Sequence, residues 1–439
     1  MKKIFLTSYL LLACFAFCAG QTEDANDADD REIRENPVIE ENGEEEASSF
    51  AMPSYIKLNR NHVIMNGANW KQLHKAMANV NKHPVSIVHI GDSHLQADIA
   101  TGVVRKNIQM EHGNAGRGLI TPLKMSGTNQ PLDYTFASTM SWNAAKLMKW
   151  PWNNTMGFTG TSISPTQRQS HLTLSTGKDE DYNPFSAVTL FHKGKLNVTR
   201  VENQDGIPLM FTASPSQDYT HIQLTEAVDN VKIFFDSAGD LTLFGASLSG
   251  NRPGIFYHTI GNNGATYGTY NRIGNVGKGI APLNPDLVII SLGTNEAFGR
   301  RNVPEFISAM DRLVKSIQSA NPNTQIMLVT PMECQKSVYS TVNKRVKRKK
   351  RKSRTVKQKV RSYAVNANIL PIRNAIMQYG RDNNIAVYDW YEVAGGAGAS
   401  SLWLKDKMFG SDRVHHTHKG YNIQGELLYK ALSEALNNN

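Results

Sequence analysis

The chain has 439 residues, 40% hydrophobic and 20% charged, so it is long enough for two compact units and has the composition of a globular protein. Its net charge of +10 is unevenly spread, because residues 21–46 carry twelve acidic residues against two arginines. We expect residues 21–50 to form a disordered acidic linker, and the cationic remainder to favour anionic surfaces.

The N-terminus predicts export. Residues 1–20 contain two lysines, an apolar run and small residues before Gln21, which is the pattern of a secretory signal peptide. Cys14 also stands at the end of a lipobox-like segment, but the apolar run continues past it, which favours cleavage after Gly20 and release into the periplasm or medium. Cys334 is then the only cysteine left in the mature chain, which excludes an intramolecular disulfide and a cysteine metal site. No other stretch is apolar enough for a transmembrane anchor.

Two patterns alternate along the rest of the chain. Residues 51–120 and 249–439 show apolar strands alternating with amphipathic helices, which favours an α/β fold with a parallel central sheet covered on both faces. Between 121 and 248 the helical period vanishes, and short alternating runs separated by Gly, Pro, Asn and Asp predict an inserted β-sandwich or jelly-roll-like domain. The main predicted helices cover residues 69–80, 95–110, 305–318, 369–384 and 419–436.

A serine stands at the end of the first predicted strand of the parallel sheet. Residues 85–96 read VSIVHIGDSHLQ, so Ser93 follows a buried strand and opens a helix, with its backbone N–H free to face an oxyanion. A serine is a weak nucleophile without a base, an orienting group and oxyanion donors. A helix-capping turn would give the same short motif.

Two later segments supply the missing groups. Asn295 follows the strand LVIISLG, at the carboxyl edge of the sheet, where its amide could donate to an oxyanion, although a turn asparagine would look the same. Asp412 lies three residues before His415, so its carboxylate can hold Nδ1 while Nε2 accepts the serine proton. The neighbouring His416 and His418 leave a metal cluster as a weaker alternative, and no metal or cofactor is expected.

Together these blocks resemble the SGNH (GDSL-type) hydrolase family, whose four blocks contribute Ser, Gly, Asn and His. Here the blocks read GDSH, a glycine segment, GTNE and DRVH, with His94 where leucine is usual and Glu296 where aspartate is more typical. The glycine block is the least certain, with Gly264 the better match and Gly261 the second. The resemblance implies an SGNH-type three-layer α/β sandwich.

It also implies a serine esterase. In that interpretation Ser93 is the nucleophile, His415 the base and Asp412 its orienting acid, while Ser93, Gly264 and Asn295 form the oxyanion hole. The β insert resembles that of peptidoglycan O-acetylesterases, which favours removal of acetyl groups from peptidoglycan or another cell-envelope or dietary polysaccharide. A lipase or thioesterase for longer acyl chains, an acetyltransferase and a non-catalytic envelope-binding protein remain alternatives.

Two further features bear on the substrate. Trp142, Trp150 and Trp152 are weak candidates for stacking on sugar rings, although packing in a core explains such residues more often. The stretch from Lys344 to Arg361 holds twelve basic residues, typical either of a solvated loop or of a surface for an anionic envelope polymer. Nucleic acid is not expected as a partner of an exported protein with no recognition fold.

Overall fold

The computed structural model describes residues 52–177, 183–348 and 351–437, without the side chains of residues 347–353. The predicted signal peptide, Cys14 and the predicted acidic linker therefore lie outside the described residues. No helix within the described ranges is both long and apolar enough to cross a bilayer.

Nineteen strands are assigned among the described residues. In chain order they are β1 Val63–Ile64, β2 Val85–Gly91, β3 Gly118–Ile120, β4 Tyr134–Ala137, β5 Trp142–Lys146, β6 Thr161–Pro165, β7 Gln169–Thr176, β8 Phe185–Lys193, β9 Leu196–Glu202, β10 Phe211–Pro215, β11 Tyr219–Val228, β12 Asn230–Ser237, β13 Thr242–Ser249, β14 Ile255–Gly261, β15 Leu287–Ser291, β16 Gln325–Val329, β17 Gln335–Arg348, β18 Arg351–Val365 and β19 Ala386–Tyr388.

The α-helices of the described residues lie before β3 and after β14 in the sequence. They are α1 Lys71–Met77, α2 Ser93–Gln96, α3 Ile99–His112, α4 Tyr267–Asn271, α5 Val276–Ile280, α6 Val303–Ala320, α7 Ile369–Asp382, α8 Trp390–Val393, α9 Ala399–Lys405 and α10 His418–Asn437. Short 3₁₀ turns cover Leu58–Arg60, Ala281–Leu283 and Glu296–Phe298.

A six-stranded sheet forms the centre of the α/β part, in the order β1-β19-β16-β15-β2-β14. The five strands from β19 to β14 are parallel, and only β1 at the edge runs antiparallel. Every residue of β2 is buried, as expected for a central parallel strand covered on both faces. The prediction of an α/β fold with a parallel central sheet is confirmed.

The second set of sheets is antiparallel and lies between β2 and β14 in the sequence. One sheet has the order β10-β11-β8-β13-β6-β5 with β3 beside β13, and the other the order β4-β7-β12-β9. Alternating residues such as Val231, Ile233 and Phe235 of β12 are buried in a core of their own, separate from the core of the parallel sheet. The additional β sheets predicted from the alternating runs are thus present.

The helix predicted over 95–110 is broken into α2 and α3. Asp98 interrupts it with a left-handed backbone (φ 57°), and its carboxylate is buried against Arg105 and Arg117, each 2.7 Å away. Both arginines also pair with Asp133, which leads into the antiparallel sheets. This buried ion network accounts for a break that hydrophobic periodicity does not indicate.

The basic stretch is a β-hairpin rather than a loop. Strands β17 and β18 pair antiparallel with each other and form a separate two-stranded sheet within the described residues. Their valines, threonines and tyrosines alternate with lysines and arginines, which suits strands.

Candidate active site

The register of the parallel sheet brings three strand ends to one point. Gly91 at the end of β2 lies opposite Gly261 of β14 on one side and Ser291 of β15 on the other. The segments that follow these strands therefore leave the same edge of the sheet next to one another. They carry Ser93, the loop with Gly264, and Asn295, so segments about two hundred residues apart in the sequence meet.

Ser93 opens a short helix at this edge. Asp92 caps the helix, and its Oδ1 accepts a hydrogen bond of 3.0 Å from the backbone N–H of His94. Gly91 is needed because a Cβ there would lie 2.8 Å from the carbonyl oxygen of Ser291. The serine is only 3% exposed, so its hydroxyl faces a nearly closed site.

A chain of two hydrogen bonds joins Ser93 to His415 and Asp412. Ser93 Oγ lies 2.7 Å from His415 Nε2, and His415 Nδ1 lies 2.7 Å from Asp412 Oδ2. The other carboxylate oxygen of Asp412 accepts the backbone N–H groups of Val414 at 2.8 Å and His415 at 2.9 Å. Asp412 thus fixes the imidazole through both its ring and its backbone, which is the geometry of a nucleophile, base and orienting acid.

The electrostatics keep Asp412 ionised. Burial by itself raises the pKa of this carboxyl, but the facing imidazole of His415 and the hydrogen bonds to it lower the pKa below its usual value. An ionised Asp412 stabilises the imidazolium that forms when His415 takes a proton.

The Asn295 side chain contacts Asp92, the residue before Ser93, and both of its amide hydrogens are already engaged. Its Nδ2 donates to Asp92 Oδ2 at 3.2 Å and to the carbonyl of Ala265 at 3.0 Å. Donation to a developing oxyanion therefore requires one of these hydrogen bonds to be exchanged. The bond to Ala265 also ties Asn295 to the residue directly after Gly264.

Gly264 is buried and occupies the left-handed region (φ 77°), which favours glycine. Within the described residues its backbone N–H donates to no backbone carbonyl, so it is free to donate to an oxyanion. Gly261, the second candidate from the sequence, is the last residue of β14 and packs against α2.

Two buried carboxyl groups lie near Asn295: Asp92 accepts a hydrogen bond from its side chain, and Glu296 is the next residue in the chain. Burial raises the pKa of Asp92 to about 6 and that of Glu296 to about 7. Glu296 Oε1 accepts the N–H of Tyr267 at 2.8 Å and so holds the start of α4. These positions differ in role from Asp412, because burial rather than a cationic partner controls their charge.

A polar network that the sequence analysis did not identify borders the site. Gln96 Nε2 donates to Thr128 Oγ1 at 2.8 Å and to Asn129 Oδ1 at 2.6 Å, while its Oε1 accepts the N–H of Asn263 at 2.7 Å. Asn263 Nδ2 also reaches Asn129 at 2.8 Å. The segment entering the antiparallel sheets is thereby tied to the residue before Gly264. The sequence gives no sign of this network, because its members are single polar residues far apart in the chain.

The histidines beside His415 are enclosed by aromatic rings. His416 is 1% exposed and packs against Trp403, Phe409 and Tyr421, and burial lowers its pKa to about 3. It is therefore a core residue packed among aromatic rings next to His415. Among the described residues, no group of three His, Cys, Asp or Glu side chains is arranged to hold a metal ion.

The three tryptophans occupy different environments. Trp142 packs on the core of the antiparallel sheets, with its ring centroid 6.2 Å from that of Phe235. Trp152 packs on the core of the α/β part and donates from Nε1 to the carbonyl of Leu147 at 3.2 Å. Trp150 is 62% exposed. Of the three, Trp150 is the most exposed, and Arg272 Cζ lies 5.9 Å from its ring centroid.

Comparison with known proteins agrees with this site. Residues 235–423 match the model of the GDSL-like lipase/acylhydrolase family. This part of the chain is therefore similar to the GDSL-like hydrolases, and the class of enzyme that the match and the site support is an esterase or acylhydrolase.

Among solved structures, a peptidoglycan O-acetylesterase aligns with 85% of this chain and 99% of its own, at 19% identity and a TM-score of 0.65. At this identity the likeness establishes the shared fold, including the antiparallel part. A lipase/acylhydrolase from Enterococcus faecalis (17% identity, 42% of this chain, 77% of its own) and a carbohydrate esterase family 3 protein from Talaromyces cellulolyticus (18%, 41%, 72%) both have a TM-score of 0.29, too low to support an argument. A search of curated protein sequences gave no match.

Proposed function

We propose that the protein is an exported carbohydrate O-acetylesterase that removes acetyl groups from peptidoglycan. The observation that carries the proposal is the unbroken chain of hydrogen bonds from Ser93 through His415 to Asp412 at the carboxyl edge of the sheet. Export rests on the signal-peptide pattern of residues 1–20. The fold shared with a peptidoglycan O-acetylesterase supports the choice of polymer.

The reaction follows from the positions of three side chains. Ser93 Oγ attacks the acetyl carbonyl carbon while its proton passes to His415 Nε2, 2.7 Å away. The tetrahedral intermediate then collapses, the bond to the sugar oxygen breaks, and His415 returns the proton to that oxygen. Water attacks the acetyl-serine with His415 as base, releasing acetate and restoring Ser93. Asp412 remains ionised throughout and stabilises the imidazolium.

The negative oxygen of the tetrahedral intermediate requires donors on the other side of Ser93. The N–H groups of Ser93 and Gly264 are candidates, and Asn295 joins them if it exchanges its bond to Asp92 or Ala265. The pKa of Asp92, raised to about 6 by burial, favours such an exchange under mildly acidic conditions, because a protonated carboxyl is a weaker acceptor.

The surroundings of Ser93 favour a short acyl group on a polar carrier. Ser93 is 3% and His415 0% exposed, which leaves little room for a long chain. The nearby amides of Gln96, Asn129 and Asn263 offer hydrogen bonds that suit a sugar better than a lipid.

The direct test is acetate release from O-acetylated peptidoglycan beside acetylated xylan, with wild type and Ser93→Ala compared. We expect wild type to release acetate from peptidoglycan, and Ser93→Ala to lose at least about a thousandfold in turnover with its fold unchanged. Faster release from xylan would redirect the proposal to a different polysaccharide. Full activity in purified Ser93→Ala would refute the assignment of the nucleophile.

Chain length separates this proposal from a lipase or thioesterase. On p-nitrophenyl esters we expect kcat/KM to be highest for acetate and to fall steadily toward octanoate, because the closed site has no room for the added methylenes. A maximum at eight carbons or longer would favour the lipase alternative.

A further inference from the structure

The hairpin of β17 and β18 has two chemically different faces. Its antiparallel register places Tyr339 opposite Arg361, Thr341 opposite Lys359, and Asn343 opposite Lys357. Because directly opposed residues, and every second residue along a strand, point to the same side, these six side chains share one face. Arg345 and Tyr363 extend this face at its two ends, opposite Thr355 and Ser337.

We call this face the cationic track: Arg345, Lys357, Lys359 and Arg361 with Tyr339 and Tyr363. Its cations and rings are in contact, with Lys359 Nζ 3.9 Å from the ring centroid of Tyr339 and Arg361 Cζ 5.1 Å from that of Tyr363. The opposite face instead carries a zigzag of valines, of which Val342, Val346 and Val360 are 42%, 40% and 37% exposed. Lys336, Lys344 and Arg354 are described cations on this valine face.

The hairpin contains no acidic residue that could balance its positive charge. Residues 335–365 contain thirteen lysines and arginines and no acidic residue. A single two-stranded ribbon is marginally stable in water, and like charges along it repel one another. Its electrostatic complement is therefore an anion supplied from outside the ribbon, and a row of cations along one face matches an extended polyanion.

One end of the cationic track contacts the segment that carries Asp412 and His415. Arg413, which follows Asp412, donates from Nη1 to Gln335 Oε1 at 2.8 Å and lies with Cζ 4.0 Å from the ring centroid of Tyr363. The N–H of Gln335 donates in turn to the carbonyl of Arg413 at 3.0 Å. The root of the hairpin and the segment that holds Asp412 and His415 are thus joined by three contacts.

We propose that the cationic track is a docking surface for a carboxylate-bearing glycan polymer and guides that polymer toward Ser93. The proposal rests on the proposed function for the identity of the substrate and adds where the polymer binds outside the catalytic site. Peptidoglycan, whose peptide stems carry carboxylates along a linear chain, has the required chemistry. Several weak ion pairs along one polymer act together, so the affinity should be high at low salt and fall steeply as salt rises.

The test compares two charge reversals that are equal in number but lie on opposite faces. Lys357→Glu/Lys359→Glu changes the track, and Lys344→Glu/Arg354→Glu changes the valine face of the same strands by the same charge. All four side chains are exposed, so neither pair disrupts a core. Binding is measured by sedimentation with purified peptidoglycan sacculi at two salt concentrations, and turnover on both sacculi and p-nitrophenyl acetate.

We expect the track variant to lose about tenfold or more in affinity for sacculi, with KM on sacculi raised and kcat/KM on p-nitrophenyl acetate unchanged. The valine-face variant should stay within about threefold of wild type. Equal losses in both variants would mean that only net charge matters and would overturn the proposal. So would unchanged binding in both, an equal loss on the small ester, or stronger sedimentation with vesicles of phosphatidylglycerol than with sacculi.

Failure of the proposed function gives a different result. If peptidoglycan is not the substrate, sacculi release no acetate, yet the face-specific difference in sedimentation persists wherever the track binds carboxylated polymer. If the track has no such role, acetate release from sacculi persists in both variants with the same KM.

Discussion

Asp412 and Glu296 show how two acids near the same serine acquire opposite tendencies. Asp412 faces His415 and two backbone N–H groups, and its pKa lies below the usual range despite burial. Glu296 accepts the N–H of Tyr267 but is fully buried, and burial raises its pKa to about 7. A carboxylate that stays ionised, such as Asp412, can orient an imidazole and stabilise its protonated form. A carboxyl group whose pKa is near 7, such as Glu296, is better suited to a structural role.

The raised pKa of Glu296 predicts a pH-dependent cost in stability. An unfolded glutamic acid loses its proton near its model value of 4.5, whereas the folded one keeps it up to about 7. Raising the pH through this interval therefore favours the unfolded chain, by roughly 3 kcal/mol in total. Glu296→Gln removes this titration while keeping an oxygen that can accept the N–H of Tyr267.

The measurement is the free energy of unfolding of wild type and Glu296→Gln at pH 5 and pH 8. Between pH 5 and pH 8 the free energy of unfolding of the wild type should fall by about 2–3 kcal/mol more than that of the variant. This expectation does not depend on which of the two proteins is the more stable at pH 5. Asp92 titrates in both proteins, so its contribution cancels apart from its Coulombic coupling to Glu296. A difference that stays constant from pH 5 to pH 8 would contradict the raised pKa.

At the scale of elements, strand ends that could be predicted from the sequence account for much of the candidate site. The apolar runs ending at Gly91 and near Ser291 mark β2 and β15, and the motifs that follow them placed Ser93 and Asn295 at one edge. The break at Asp98 could not be predicted, because hydrophobic periodicity does not show that its carboxylate is buried between Arg105 and Arg117. The same holds for the Gln96–Asn129–Asn263 network, which depends on how two units pack.

The hairpin was missed for a different reason. Its period of two is present in the sequence, but lysine and arginine occupy so many positions that the stretch has the composition of a solvated loop. Exposed strands of this kind owe their pairing to β-branched and aromatic residues across the ribbon and not to a buried face.

Packing between β14 and α2 predicts a sensitive glycine. A Cβ on Gly261 would lie 2.3 Å from the backbone N of Gln96 and 2.6 Å from its Cα, too close for either element to remain in place. Gly261→Ala should therefore lower the free energy of unfolding by about 1–3 kcal/mol and reduce esterase turnover, because α2 carries Ser93.

Gly268→Ala is the matched control. The nearest atom to its Cβ is Thr266 Oγ1 at 3.6 Å, an ordinary contact, and alanine is favoured over glycine in a helix. We expect this variant to keep its stability and activity. Equal effects of the two substitutions, measured by denaturant unfolding and p-nitrophenyl acetate hydrolysis, would argue against the predicted clash.

The whole molecule combines a closed site with an exposed cationic hairpin. The Asp98, Arg105, Arg117 and Asp133 ion network and the Gln96 amide network join the antiparallel sheets to the edge of the parallel sheet. The hairpin, in contrast, is anchored through Arg413 beside the candidate catalytic acid. The two proposals therefore assign catalysis and polymer binding to separate surfaces, which meet at the segment containing Asp412 and His415.

The most direct test of the central claim is covalent trapping with a fluorophosphonate. An activated Ser93 attacks phosphorus and displaces fluoride, so we expect one adduct per chain, located on Ser93 by peptide mass spectrometry, with esterase activity lost in proportion to labelling. Ser93→Ala should take up no label. An adduct on another residue, or ester hydrolysis that continues with Ser93 fully labelled, would contradict the account.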